Sequence, residues 1–254
     1  MGQTRDTDVH LASLRQSLRS EANPRVASDL AWFFKTGPGE YGEGDQFLGL
    51  KVPQTRAIAK EFSTLSLADI DLLVGSEYHE ERFCALVILT TQYEKAKDPA
   101  LKKSLFEHYI SLYDRSVVNG WDLVDVTANR FGKQLVGDPS AIEFLLALAR
   151  TDDLWKQRLS VILTFPSIAQ YDFAPTLAVC EDLIDHEHDL MHKAVGWALR
   201  EVGNRDLKPL RDFLEVHAAT MPRTALRYAI EKLSEKERKD WLSRKAQAQQ
   251  ERGR

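Results

Sequence analysis

Apolar residues recur at three- and four-residue spacing along most of the chain, and strict alternation is nearly absent. Phe83, Ala85, Leu86, Ile88 and Leu89 form one such face; Ile142, Leu145, Leu146 and Leu148 form another, and Leu226, Ala229, Ile230 and Leu233 a third. Short breakers separate the periodic stretches: Gly75-Ser76, Lys97-Asp98-Pro99, Gly137-Asp138-Pro139, Gly203-Asn204 and Thr220-Met221-Pro222. Connections this short join antiparallel neighbours, so the pattern predicts an all-α stack of helical hairpins.

The hairpins carry a weak internal repeat. A basic residue leads an apolar run at Arg82, Arg158, Lys193 and Arg223. Arg82 and Arg158 are 76 residues apart, two units of 38 with Trp121 near the midpoint, and the later intervals are 35 and 30. Two helices per unit at that period predict an α-solenoid of HEAT-like repeats. Equivalent positions would line one concave face and make it a basic cleft, unless the leading cations simply solvate helix starts. We read residues 1–254 as one such domain, ending in a charged helix or fraying tail from about residue 234, anchored by Trp241 and Leu242.

Composition narrows the class without naming a function. The 254 residues are 43% hydrophobic and 28% charged, as in a globular protein, with a net charge of −4 that disfavours wholesale nucleic-acid binding but leaves a local basic face open. The first eight residues are polar and no apolar run is long enough to span a bilayer, which predicts neither signal peptide nor membrane partner. Asp6 stands where a myristoylation motif needs Ser or Thr. Cys84 and Cys180 lie in separate apolar stretches, as reduced core residues of a cytoplasmic protein do.

Several motifs weaken on inspection. Gly37-Pro38-Gly39-Glu40-Tyr41-Gly42 matches G-x-G-x-x-G, but no strand precedes it and Glu40, Glu43 and Asp45 would repel a pyrophosphate, so it reads as a structured loop. His186, Glu187, His188, Asp189 and His192 lack the H-E-x-x-H order, and a polar helix start explains them better than a metal site. Neither a nucleophile elbow nor a Walker A sequence is present.

The run Gly120-Trp121-Asp122-Leu123-Val124-Asp125 is more informative. Trp121 and Asp125 share one helix face, and an indole beside a carboxylate suits a cation; the plainer alternative is a half-buried Trp next to a solvated Asp. Three further segments accompany it: Phe47-Leu48-Gly49-Leu50-Lys51-Val52-Pro53 with Arg56, Leu154-Trp155-Lys156-Gln157-Arg158, and Lys193-Ala194-Val195-Gly196-Trp197-Ala198-Leu199-Arg200-Glu201. In these four segments, and in their order from about Ala31 to Leu233, the sequence resembles the DNA alkylation repair family of AlkD-like glycosylases, built of HEAT-like repeats.

That resemblance implies a catalytic carboxylate at Asp125, an aromatic wall for the lesion sugar at Trp121, a phosphate-side contact at Arg158 and a second aromatic at Trp197. Lys156, Lys193 and Arg200 join as phosphate contacts, with Lys51, Arg56 and Phe33 completing the DNA-binding set. Phe33, or its neighbour Phe34, falls where the family often has Tyr, which removes a phenolic hydroxyl; the Gly37–Gly44 loop is longer than in some members. The family excises purines such as 3-methyladenine and 7-methylguanine, whose cationic base leaves neutral and needs no strong general acid. A carboxylate can then stabilise the oxocarbenium-like sugar and orient water. The implied members grip duplex DNA on an open face without enclosing the base. They need no cofactor and no metal, and an elongated solenoid is naturally a monomer. A non-catalytic binder of damaged or branched DNA and a HEAT-type protein scaffold are the alternatives.

Overall fold

The computed structural model describes residues 3–252, with side chains from His10 to Arg244. Seven helices begin in the first half: α1 (Gln3–Ser20), α2 (Pro24–Phe33), α3 (Val52–Glu61), α4 (Leu67–Val74), α5 (His79–Lys95), α6 (Pro99–Asp114) and α7 (Trp121–Phe131). A 3₁₀ turn (Gly132–Leu135) follows, then α8 (Ala141–Ala149), α9 (Leu154–Ile162), α10 (Phe165–Ala169), α11 (Ala174–Asp182), α12 (Asp189–Arg205), α13 (Leu207–His217), α14 (Arg223–Ala229) and α15 (Glu235–Arg252). Among the described residues there is no strand, only an isolated bridge between Gln46 and Tyr78. The fold is all-α, as the periodicity predicts.

Of the predicted breakers, Asp98 caps the start of α6 and Gly75 ends α4, whereas Gly203-Asn204 breaks nothing and lies inside α12; several other helix starts are capped by residues outside the breakers. Asn23 Oδ1 accepts from the N–H groups of Arg25 and Val26 ahead of Pro24. Ser66, Asp98, Asp153 and Asp206 do the same for α4, α6, α9 and α13. Each satisfies donors that the first turn of a helix leaves open, and Pro99 sits where its missing N–H costs nothing.

The chain divides into two compact units between Thr127 and Ala128. In the first, α4 and α3 pack on α5 around Leu14, Leu18, Ile70, Leu73, Leu86 and Leu89, all fully buried. In the second, α8/α9 and α11/α12 are successive hairpins and α13 packs on α12; α9 packs on α12 and α12 on α14, while α8 packs on α11. That gives the layered solenoid arrangement the repeat predicts. Contact between α12 and α14 is close at Gly196, where a Cβ would stand 2.5 Å from the Ala225 carbonyl oxygen.

Second helices start at His79, Trp121, Leu154, Asp189 and Arg223, that is 42, 33, 35 and 34 residues apart. Trp241 is buried against the second unit's core, with the Arg244 guanidinium 4.1 Å over its ring and paired to Glu215. The expected fray at the chain's end falls outside the described residues. Cys84 and Cys180 are buried free thiols; burial, with the nearby Glu81 charge, pushes the Cys84 thiol up to about 12, and burial raises Cys180 as well.

Candidate functional site

Trp121 is the first residue of α7 and is half-buried. Its ring lies face to face with Phe34, centroids 5.4 Å apart and planes at 18°, while Phe33 meets it edge-on at 6.2 Å. Phe34 in turn stacks on Phe47 at 5.2 Å. Both candidate phenylalanines therefore touch the indole, and they divide the work: Phe34 is buried, whereas Phe33 is 55% exposed. Trp32 beside them is 84% exposed, a large apolar surface that the sequence reading passed over.

Beneath the rings lies an ionic network that the sequence reading also missed. His79, the first residue of α5, is buried with Nδ1 2.8 Å from Asp45 and Nε2 2.8 Å from Asp122. Ionised carboxylates only accept, so both ring nitrogens donate and the ring is an imidazolium. Burial opposes that charge, but the hydrogen bonds and charges of Asp122 and Asp45 win and raise its pKa to about 9. Arg82 also pairs with Asp45 and donates to the Ser76 carbonyl at 2.8 Å. Burial pulls the Asp45 carboxyl upward, yet His79 and Arg82 together hold it below the usual carboxylate range.

The neighbouring Glu80 carboxylate accepts from the N–H groups of Leu48, Gly49 and Leu50 at 2.9, 2.8 and 3.1 Å. Gly49 has φ +90° and no room for a Cβ, which would lie 2.1 Å from the Asn23 carbonyl oxygen. The F-L-G-x-x-x-P segment is thus a strap, buried at Gly49 and Leu50, that seats Phe47 in the stack. Lys51 is the N-cap of α3 and Arg56 lies on that helix, both exposed; Gln54 caps the Lys51 N–H, and the Arg56 guanidinium lies 5.9 Å over Phe83.

Asp125 stands one turn after Trp121 and is half-buried. Near it Tyr109, Tyr113 and Thr127 form a buried hydroxyl chain, Tyr109 lying 2.7 Å from each of the other two. Burial raises both phenol pKa values, and the Asp125 charge adds to the rise. Asp125 is the fifth residue of its helix; the fifth residues of α9, α12 and α14 are Arg158, Lys193 and Arg227.

In the second unit Arg158 is buried, and its Nη1 donates to the Leu190 carbonyl at 2.8 Å. The leading bases Arg82 and Arg158 are therefore interior residues that tie backbone together. Lys156 is half-buried on α9, Lys193 pairs with Asp189 at 2.7 Å, and Arg200 pairs with Glu231. Trp197 donates its Nε1–H to Glu201 at 3.1 Å and meets Phe165 edge-on at 4.7 Å. Phe165 and Glu201 also line a cavity of about 520 Å³ with Asn129, Lys133, Gln170 and Arg205.

The two discounted motifs have clear local roles. Glu40 and Glu43 accept from the Gly37 and Gly39 N–H groups at 3.0 and 2.9 Å, so the loop's own carboxylates occupy amides a phosphate would need. His186 meets Gln157 at 2.9 Å, His188 Nδ1 caps Leu190, and His192 binds the His186 carbonyl, which builds the start of α12. Among the described residues no three His, Cys, Asp or Glu side chains are grouped so as to hold a metal.

The sequence matches the family described as DNA alkylation repair enzyme over residues 14–233. The chain belongs to that family. A solved structure described as a predicted DNA alkylation repair enzyme from Enterococcus faecalis superimposes with a TM-score of 0.65 at 14% identity, covering 85% of this chain and 98% of its own. At that identity the likeness speaks to the fold, which the two share. No curated protein matches. All four segments that carried the resemblance fall within the family match. No helix among the described residues is long and apolar enough to cross a membrane.

Proposed function

We propose that this member of the DNA alkylation repair family is a glycosylase that hydrolyses the N-glycosidic bond of cationic purines, of the 3-methyladenine and 7-methylguanine type, in duplex DNA. The observation that carries the reading is the presentation of Trp121 and Asp125 on one face of α7. Trp121 is backed by Phe34 and edged by Phe33, and Asp125 follows one turn later at the half-buried rim. A methylated purine already bears positive charge and departs neutral, so the protein has only the sugar's charge to manage. Asp125 stabilises the oxocarbenium-like C1′ and orients the attacking water. The indole face of Trp121 packs on the sugar and favours the same charge.

The proposed phosphate contacts are Lys51 and Arg56, with Phe33 packing against sugar, and Lys156, Lys193 and Arg200, with Trp197 as an aromatic contact. Arg158, buried and bound to the Leu190 carbonyl, adds fixed positive charge near the start of α12. Incubation with methylated duplex DNA and chromatography of the released bases tests the reading. Release of methylpurines supports it; salt-dependent duplex binding with no release assigns a non-catalytic binder instead, and no salt-dependent DNA binding assigns a protein scaffold.

A further inference from the structure

Trp121 needs more than helical geometry to be useful. An indole at the first position of a helix sits where the backbone frays most readily, with intrahelical bonds on one side only. In this chain that first turn is tied from below. Asp122, the next residue, takes a hydrogen bond from His79 Nε2, and His79 is itself fixed through Nδ1 to Asp45. Asp45 is held by Arg82, which also grips the backbone at Ser76. The His79 N–H is bound to the Gln46 carbonyl at 2.8 Å, so neither ring nor backbone of this residue is adjustable.

The same imidazole belongs to the aromatic stack. Its centroid is 4.8 Å from Phe47 and 4.9 Å from Phe34, and Phe34 is the ring on which Trp121 lies. One side chain thus reaches Trp121 by two routes, through Asp122 on α7 and through Phe34 against its face. Gly120 leaves room for this: a Cβ there would stand 3.1 Å from Asp122 Oδ1 and 3.5 Å from the imidazole Cε1.

We propose that His79 is a positioning residue for excision: clamped between Asp45 and Asp122, it fixes the first turn of α7, and with it the plane of Trp121 and the direction in which Asp125 is presented. The catalytic consequence rests on the glycosylase reading; the placement of Trp121 does not.

The two amide replacements separate the clamp's arms. The Asn amide reaches about as far as Nδ1 and can still donate to Asp45, whereas the Gln amide reaches about as far as Nε2 and can donate to Asp122. With enzyme saturating, single-turnover release of 7-methylguanine by His79→Asn falls roughly tenfold to a hundredfold, as small misplacements of a reacting group cost. Its duplex affinity stays within about threefold, and His79→Gln recovers most of the rate. The indole N–H resonance of Trp121, assigned by its loss in Trp121→Phe, shifts or broadens in His79→Asn and returns towards wild type in His79→Gln. Asp122→Asn, which keeps an acceptor and removes the charge, gives a second disturbance from the other end should His79→Asn fail to fold.

Equal rates for the Asn and Gln variants with an unmoved Trp121 resonance overturn the proposal. A loss of rate that follows lost thermal stability while that resonance stays put also overturns it, in favour of a purely structural role. If wild-type protein releases no base, the glycosylase reading fails, and the indole resonance alone decides whether His79 places Trp121.

Discussion

Trp121 lies against Phe34 with ring centroids 5.4 Å apart and planes only 18° from parallel. The contact joins the end of α2 to the start of α7, two segments more than eighty positions apart in the chain. It makes the half-buried indole a supported surface. Phe34 is buried in a continuous stack of rings, so Phe34→Ala leaves a cavity that its neighbours cannot fill. We expect a loss of about 3–5 kcal/mol, measured by urea denaturation, with near-ultraviolet dichroism reporting the disturbed indole.

Asp125→Asn retains size and removes charge. Release of 7-methylguanine under single-turnover conditions should fall by at least ~10²-fold, the scale on which a single electrostatic transition-state contact is lost. Duplex affinity should stay within a few-fold, because a carboxylate adds nothing to phosphate binding. Unchanged release by this variant would remove Asp125 from the reaction.

The buried imidazolium makes stability pH-dependent with a definite sign. His79 titrates near 6.5 unfolded and at about 9 folded, so the native state holds a proton that the unfolded chain gives up. Its contribution is complete below pH 6.5, declines by up to about 1.4 kcal/mol per pH unit above it, and is gone above about 9. The charged groups facing it are Asp45 and Asp122, with Arg82 beyond Asp45. Denaturation free energies between pH 6 and 10 should fall in wild type, and that fall should be shallower in His79→Gln.

Gly196 fits the K-A-x-G-W motif into the fold rather than into the chemistry. Its missing Cβ lets α12 approach α14, and an added methyl would sit 2.5 Å from both the Ala225 carbonyl oxygen and the Tyr228 Cβ. Gly196→Ala is expected to cost about 1–3 kcal/mol through overpacking. The melting temperature should drop while duplex affinity of the folded fraction is retained.

Lys156→Ala and Lys193→Ala test the phosphate contacts. Each should lower the slope of log K against log salt by about 0.9, the yield of one neutralised phosphate, and weaken binding alike for damaged and undamaged duplex. Asp189 competes for Lys193 at 2.7 Å, so Asp189→Asn should tighten binding at low salt, as fluorescence anisotropy would register.

Much of the fold was readable because it is local. Helical spacing and most of the Pro and Gly breakers act within a few residues, and they separate the helices of the second unit except at Gly203-Asn204, which lies inside α12. Trp121 and Asp125 were equally legible, since four positions on a helix fix a shared face. The support for Trp121 was not. His79, Asp45 and Asp122 come from three separate segments, and each alone looks like a solvated polar residue at a helix start or in a loop. Only tertiary contact turns them into a buried clamp. Exposure misled in the opposite direction as well: Arg158 has the look of a surface cation at the head of a helix, and the fold buries it to hold the Leu190 carbonyl.

The register of the second helices carries a consequence for how such a centre arises and fades. Position five is basic in α9, α12 and α14 and acidic in α7. In α5 the fifth residue is the apolar Phe83, so among these second helices α7 alone places an acid there. On the glycosylase reading, a repeat with a basic residue at this place would gain chemistry by reversing that one charge, and would lose it by restoring the base. Asp125→Lys is that restoration: it completes the pattern of the later helices, and the glycosylase reading has it bind duplex DNA more tightly and release nothing.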